Sequence, residues 1–106
     1  MVDIKQNDIW MVSLGHDAVG HEQKGDRPFV VISSDEYNRN SGTPVGFFLS
    51  TSLKKSTNRF AVELVSGVAN ISQVRTLSSL RFKKFMNNAG KGSTQRLMEK
   101  FIAEVL

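Results

Sequence analysis

Apolar and polar positions alternate imperfectly from Asp8 to Leu14 (DIWMVSL), and the segment is rich in strand-forming residues; it predicts a first strand. Gly15 to Asp26 then shows no apolar periodicity and holds three glycines, which predicts a loop. Phe29 to Ser33 is a short continuous apolar run, the pattern of a strand buried on both faces. Ser34 is placed to cap one helical turn through Arg39, with Asp35 and Glu36 just behind the cap where a helix dipole favours acids. Asn40 to Pro44 is turn chemistry, and Val45 to Leu49 is a further apolar strand that ends in the polar triplet Ser50-Thr51-Ser52.

The second half repeats the pattern more weakly. Leu53 to Asn58 reads as a basic, polar loop, and Arg59 to Val65 as a strand with Phe60, Val62 and Leu64 on one face. Gly67 to Thr76 predicts one or two more strands, Phe82 to Met86 a last weak one, and Asn87 to Gly92 a connection. A C-terminal helix is expected to begin at Ser93 or Thr94, with Leu97, Met98, Phe101, Ile102, Val105 and Leu106 forming a core-facing stripe. Many short strands and one terminal helix predict a strongly bent sheet or small barrel, mainly β with some α, capped by that helix. At 106 residues, the whole chain from 1 to 106 is read as one domain.

Composition narrows the function. The apolar content of 40% and charged content of 23% are those of a soluble globule. No apolar run approaches the roughly 18 residues of a membrane span, and the first residues lack the order of a signal peptide, so a cytoplasmic protein is expected. Cysteine is absent, which removes disulfides, thiolate nucleophiles and Cys-containing metal sites. Charge is strongly segregated: residues 1–36 carry 3 basic and 7 acidic side chains, whereas 37–97 carry 10 basic residues and only Glu63 as an acid, a local charge of +9. Such an excess suits a polyanion or an acidic protein partner.

The candidate chemistry follows from that partner. His16 and His21, with Asp17 and Glu22 nearby, match no standard metal-ligand spacing, and no glycine-rich phosphate cradle is present, so neither metal nor nucleotide cofactor is expected. RNA brings its own nucleophile, the 2′-hydroxyl; a protein has only to move two protons and stabilise a charged phosphorane. His21 or Glu22 would move protons, Arg27 would clamp the phosphate, and the hydroxyls of Ser50 and Thr51 would donate to its oxygens. Each of these residues also has an ordinary surface or capping role, and only convergence in space separates the two.

Several ordered motifs resemble the MazF/PemK/Kid family of endoribonuclease toxins from type II toxin–antitoxin pairs. Asp8 to Leu14 is similar to the family's opening strand. Gly20-His21-Glu22-Gln23, then Gly25 and Arg27-Pro28 before an apolar strand, carries the strongest similarity. Tyr37-Asn38-Arg39, Ser50-Thr51 and Gln73-Val74-Arg75-Thr76 match further segments in order. The resemblance implies an SH3-like small β-barrel of the CcdB/PemK type, with a short helix after strand two and a C-terminal helix. It also implies a homodimer that cuts single-stranded mRNA without a metal, leaving a 2′,3′-cyclic phosphate and a 5′-hydroxyl and so arresting translation and growth. A cognate antitoxin with an acidic and apolar C-terminal tail would occupy the same groove.

Carried over by residue, the resemblance makes Arg27 the phosphate-stabilising arginine and Ser50 the counterpart of a catalytic threonine, with Thr51 adjacent. His21 and Glu22 match loop residues that contact or activate substrate. Gln73 and Arg75 would line the groove, and Gln23, Lys24, Arg39, Lys54 and Lys55 complete the expected RNA-binding set. One departure stands out: Asn70 and Ser72 occupy positions where the His-containing branch has an arginine and an aspartate acting as acid and base. A non-catalytic RNA-binding or interaction module is therefore an alternative. A gyrase poison of the same fold is a further one, but the chain's end, Glu104-Val105-Leu106, differs from the Trp-Gly-Ile end such proteins use.

Overall fold

The computed structural model describes residues 3–14, 25–51 and 59–106. Its strands are β1 (Asp8–Ser13), β2 (Asp26–Val31), β3 (Val45–Ser50), β4 (Ala61–Leu64), β5 (Gly67–Asn70), β6 (Arg75–Thr76) and β7 (Phe82–Asn88). Its helices are α1 (Asp35–Ser41) and α2 (Lys91–Glu104), with one 3-10 turn at Ser79–Arg81. The seven strands form one antiparallel sheet in the order β4-β5-β3-β2-β1-β7. β3 is shared: Val45 and Gly46 pair with β6, while Leu49 and Ser50 pair with β5. The expected strands and two helices are thus present, but among the described residues the barrel is not closed by a strand ladder. The turn after β4 reaches β7 only through side chains, Ser66 Oγ donating to Asn87 Oδ1 at 3.4 Å.

β2 is the middle of the fold, and its burial explains the rest. Register places Ile9, Val30 and Phe47 in one row across β1, β2 and β3, and Trp10, Phe29 and Phe48 in the next. Alternate side chains of a strand point to opposite faces, so the two rows feed two cores. One holds Ile9, Val30, Phe47, Leu49, Val62, Leu64, Ala69, Ile71 and Leu97, with Phe101 packed against it. The other holds Ile4, Trp10, Val12, Phe29, Val31 and Phe82, with Phe48 and Leu77 at its margin. Phe29, Val30 and Val31 are all 0% exposed, as a two-faced strand requires. Gly46 lets β3 approach β2: a Cβ there would sit 1.8 Å from the Val30 carbonyl oxygen and 2.8 Å from the Phe29 ring.

Local signals set the ends of α1. Ser34 Oγ accepts from the Tyr37 amide at 3.1 Å, Asp35 and Glu36 lie in the first turn, and Gly42 closes the helix in the left-handed region at φ 68°. Asn38 is buried inside this corner. Its carboxamide donates to the Ile4 and Ser33 carbonyls, each at 3.2 Å, and accepts from Ser33 Oγ, which itself accepts from the Val45 amide at 2.9 Å. The corner between β2 and β3 is therefore tied by a fully partnered side chain.

Three expectations need correction. β2 begins at Asp26 instead of Phe29 and stops at Val31, because Arg27 and Pro28 join the ladder to β1 opposite Val12 and Met11. Pro28 offers no amide donor, and the pairs with β3 run only from Phe29 onward. α2 begins at Lys91 behind Gly90, with no side-chain cap. Thr94, one of the two expected starts, is instead buried within the helix, and its hydroxyl donates to Asn7 Oδ1 and lies 3.2 Å from the Lys91 carbonyl. Lastly, only Leu97 and Phe101 of the helical stripe reach the core. Ile102, Val105 and Leu106 are exposed, and Arg59 pairs with Glu104 across the helix end.

Leu97 is 0% exposed, so Leu97→Ala leaves a cavity beneath α2 and is expected to cost roughly 2–5 kcal/mol in urea denaturation. Glu99→Ala, on the exposed side of the same helix, is expected to stay within about 0.5 kcal/mol of the parent.

Candidate functional site

Arg27 and Ser50 continue β2 and β3 past the last pair that joins those two strands. The antiparallel β2–β3 ladder ends at the Phe29–Phe48 pair, and Arg27 and Ser50 each lie two residues beyond it, Ser50 being paired with Val68 of β5. Arg27 shares a face with Phe29 and Val31, and Ser50 shares it with Phe48, so both emerge at the rim of the aromatic core. The Arg27 guanidinium carbon lies 4.8 Å from the centroid of the Phe48 ring. Thr51 follows Ser50 directly and is exposed.

Arg75, on a third strand, is near enough for its charge to act on Arg27. It pairs with Gly46 on the other edge of β3 and is exposed. Partial burial, and after it the positive charge of Arg75, hold the Arg27 pKa below the ordinary arginine value. Both effects disfavour the cation, yet an arginine remains charged at neutral pH. Among the described residues neither Arg27 nor Arg75 has a carboxylate within salt-bridge distance. Two like charges within reach of each other, with no counter-ion among the described residues, create a local demand for an anion. Gln73 sits two residues before Arg75 in an exposed turn, its amide donating to the Asn70 carbonyl at 3.1 Å.

Other sequence-predicted residues fall elsewhere. Arg39 lies on the exposed last turn of α1, beyond the opposite end of β2 from Arg27. His21, Glu22, Gln23 and Lys24, and likewise Lys54 and Lys55, lie outside the described residues. The positions of the departed acid and base form a closed turn: Asn70 Oδ1 accepts from the Ser72 amide at 3.0 Å and from Ser72 Oγ at 2.6 Å. Arg81, counted only as part of the basic surplus, donates to the Ser13 and Leu14 carbonyls at 3.2 and 3.0 Å. It thereby satisfies the end of β1, a structural task invisible in the composition. Phe48 was missed as a site residue because an apolar run hides which member faces which side. Its position two residues before Ser50 was the available signal.

The comparisons agree with this architecture. A family profile described as PemK-like, MazF-like toxin of type II toxin–antitoxin system matches residues 5–105. The chain belongs to that family. Endoribonuclease PemK of Escherichia coli is 32% identical over 111 residues, covering 98% of this chain and 77% of the relative. A chain of the MazE–MazF crystal structure from Deinococcus radiodurans superposes with a TM-score of 0.81 at 24% identity, covering 97% of this chain and 96% of its own length. A Mycobacterial endoribonuclease in complex with its cognate antitoxin gives 0.76 at 15% identity, over 94% of this chain and 92% of that one. At these identities the two structures show the shared fold. The PemK/MazF fold is thus reached with the short helix and terminal helix in the expected order.

The arginine pair makes a prediction separable from activity. Replacing Arg75 removes repulsion from Arg27 and breaks no ion pair among the described residues. Arg75→Gln is therefore expected to leave the melting temperature unchanged or slightly raised. The same variant is expected to lose most of the stabilisation that added inorganic phosphate confers on the parent protein. Differential scanning fluorimetry across a phosphate series checks both; a lowered melting temperature with an intact phosphate response contradicts the reading.

Proposed function

We propose that this chain is the toxin of a type II toxin–antitoxin pair and a metal-independent endoribonuclease acting on single-stranded mRNA. The observation that carries the reading is Arg27, partly buried, within reach of the Arg75 charge and unneutralised by any carboxylate among the described residues, on the sheet face that Ser50 shares with Phe48. Family membership and the PemK relative's name support it independently.

In the proposed step, the RNA 2′-hydroxyl loses its proton and its oxygen attacks the adjacent phosphorus. The bond from phosphorus to the 5′-oxygen breaks, and that oxygen takes up a proton. The products are a 2′,3′-cyclic phosphate and a 5′-hydroxyl, and no electrons are gained or lost. Negative charge builds on the phosphoryl oxygens at the phosphorane. A guanidinium already partly desolvated stabilises that charge more strongly than one in open water. Ser50, with Thr51 beside it, orients the scissile phosphate by donating hydrogen bonds. His21 and Glu22 carry the proton transfers, because Asn70 and Ser72 offer neither an acid nor a base in the positions where the family's His-containing branch has them. Gln23, Lys24, Lys54, Lys55, Gln73 and Arg75 hold the flanking strand.

The +9 charge of residues 37–97 favours an acidic antitoxin tail in the same groove, and the active form is a homodimer. A non-catalytic binder is the second reading, favoured by the closed Asn70–Ser72 turn.

The test is cleavage of a long, weakly structured transcript with EDTA present. Arg27→Ala is expected to lower the cleavage rate by about 10²–10³, the magnitude typical of losing one donor to a developing oxyanion. Undiminished cleavage by that variant removes Arg27 from the role. Retarded but uncut RNA with the unmutated protein favours the binder.

A further inference from the structure

We infer that Phe48 is a positioning residue for the Arg27 guanidinium, doing by its ring face what a carboxylate does in most arginine sites. The inference rests on the ribonuclease reading above and adds to it the residue that orients the phosphate-binding group.

An arginine side chain has several rotatable bonds and loses rotamer entropy when fixed, so a guanidinium that must meet a phosphate in one orientation needs something to hold it. A carboxylate partner is the usual device, but it would cancel the charge the phosphate requires. Among the described residues, no carboxylate lies within salt-bridge distance of Arg27. What lies against it is the Phe48 ring, 4.8 Å from the guanidinium carbon, inside the range of a cation–π contact. A neutral ring face attracts and orients a guanidinium while leaving its charge and its donors available.

The ring is itself held. Phe48 meets Phe29 edge-to-face at 5.2 Å and 73°. Phe29 meets Phe82 at 5.7 Å and 88°, and Phe82 meets Trp10 at 6.0 Å and 70°. Phe29 is 0% exposed and Phe82 4%. Each pair falls within the spacing preferred by edge-to-face rings. Phe48 is thus the outermost, half-buried member of a stack that reaches from β3 through β2 and β7 to β1. Its orientation is inherited from the core, and it passes that orientation to Arg27.

The experiment uses steady-state cleavage of single-stranded RNA in EDTA by the intact protein, with folding checked by circular dichroism. Phe48→Leu is expected to lower kcat about tenfold with KM changed less than about twofold, since flanking contacts still bind the strand. Phe48→Tyr, which keeps the ring face, is expected to restore kcat to within about twofold of the parent. In an Arg27→Lys background, where no planar group remains to be aligned, Phe48→Leu is expected to cost less than about twofold. Phe48→Met stands in if Phe48→Leu does not fold. The inference is overturned if the apolar variant cleaves like the parent, if Phe48→Tyr is as slow as Phe48→Leu, or if the full tenfold loss persists beside Arg27→Lys. Failure of the ribonuclease reading is seen separately, in the unmutated protein and in Arg27→Ala, neither of which alters Phe48.

Discussion

Burial of β2 on both faces is the constraint on which the rest of the molecule depends. A strand that is covered above and below cannot slip by one residue, because every side chain would change face. Phe29 and Val31 lock into the aromatic core while Val30 locks into the core beneath α2. Arg27, two residues before Phe29, has no freedom to choose its side. The same register aligns Phe48 with Phe29, and the Arg27 guanidinium lies over the Phe48 ring. The close approach at Gly46, opposite Val31 at the other end of the ladder, holds β3 against β2. Placement of the site is therefore a consequence of core packing, with no separate scaffold needed.

The placement carries an electrostatic cost in the unliganded protein. Arg27 is partly desolvated and faces a second guanidinium, and both effects work against its charge. Solvent screens much of this, because Arg75 is exposed, so the penalty is modest in the free protein. A phosphodiester reverses its sign, and a phosphorane with more negative charge reverses it further. In the proposed reaction the repulsion between the arginines thus becomes differential stabilisation of the transition state. The acidic tail of an antitoxin would draw on the same repulsion in the ground state, which makes substrate and inhibitor competitors for one electrostatic feature.

The strands of this site were largely legible in the sequence, whereas the contacts between them were not. Alternation over Asp8 to Leu14, the apolar run after Pro28 and the Ser34 cap are local signals, and each produced the element expected. The extension of β2 through Arg27 and Pro28 depends on pairing with Val12 and Met11, which no local pattern encodes. The early start of α2 has the same origin. Thr94 has a good capping side chain, but tertiary structure assigns its hydroxyl to Asn7, whose backbone in turn ties β2 and the end of β7. Periodicity identified the apolar side of α2 and was silent on how much of it is covered, which is why Ile102 and Val105 are exposed in a stripe expected to be core. Arg27 and Ser50 stand out as candidates through their motifs. The proximity of Arg75 and the stacking of Phe48 needed three-dimensional register.

The closed turn at Asn70 and Ser72 bears on how the proposed chemistry is divided. Asn70 Oδ1 is engaged by both donors of Ser72, so the carboxamide is committed to shaping the chain between β5 and β6. That turn is also what delivers Gln73 and Arg75 to the edge of β3. Where the family's His-containing branch places proton transfer, this chain places geometry. In the proposed reaction, charge stabilisation then belongs to groups fixed on the sheet, and proton transfer is assigned to His21 and Glu22, which precede β2 in sequence. The points where that segment leaves and rejoins the sheet are fixed by the Leu14 amide donating to the Gly25 carbonyl at 3.1 Å and by Arg81 on the Ser13 and Leu14 carbonyls. Arg27 lies one residue beyond the second of the β-ladder's terminal partners, Ser13 opposite Asp26. The described ends of β1 and β2 are thus joined at the edge from which Arg27 projects.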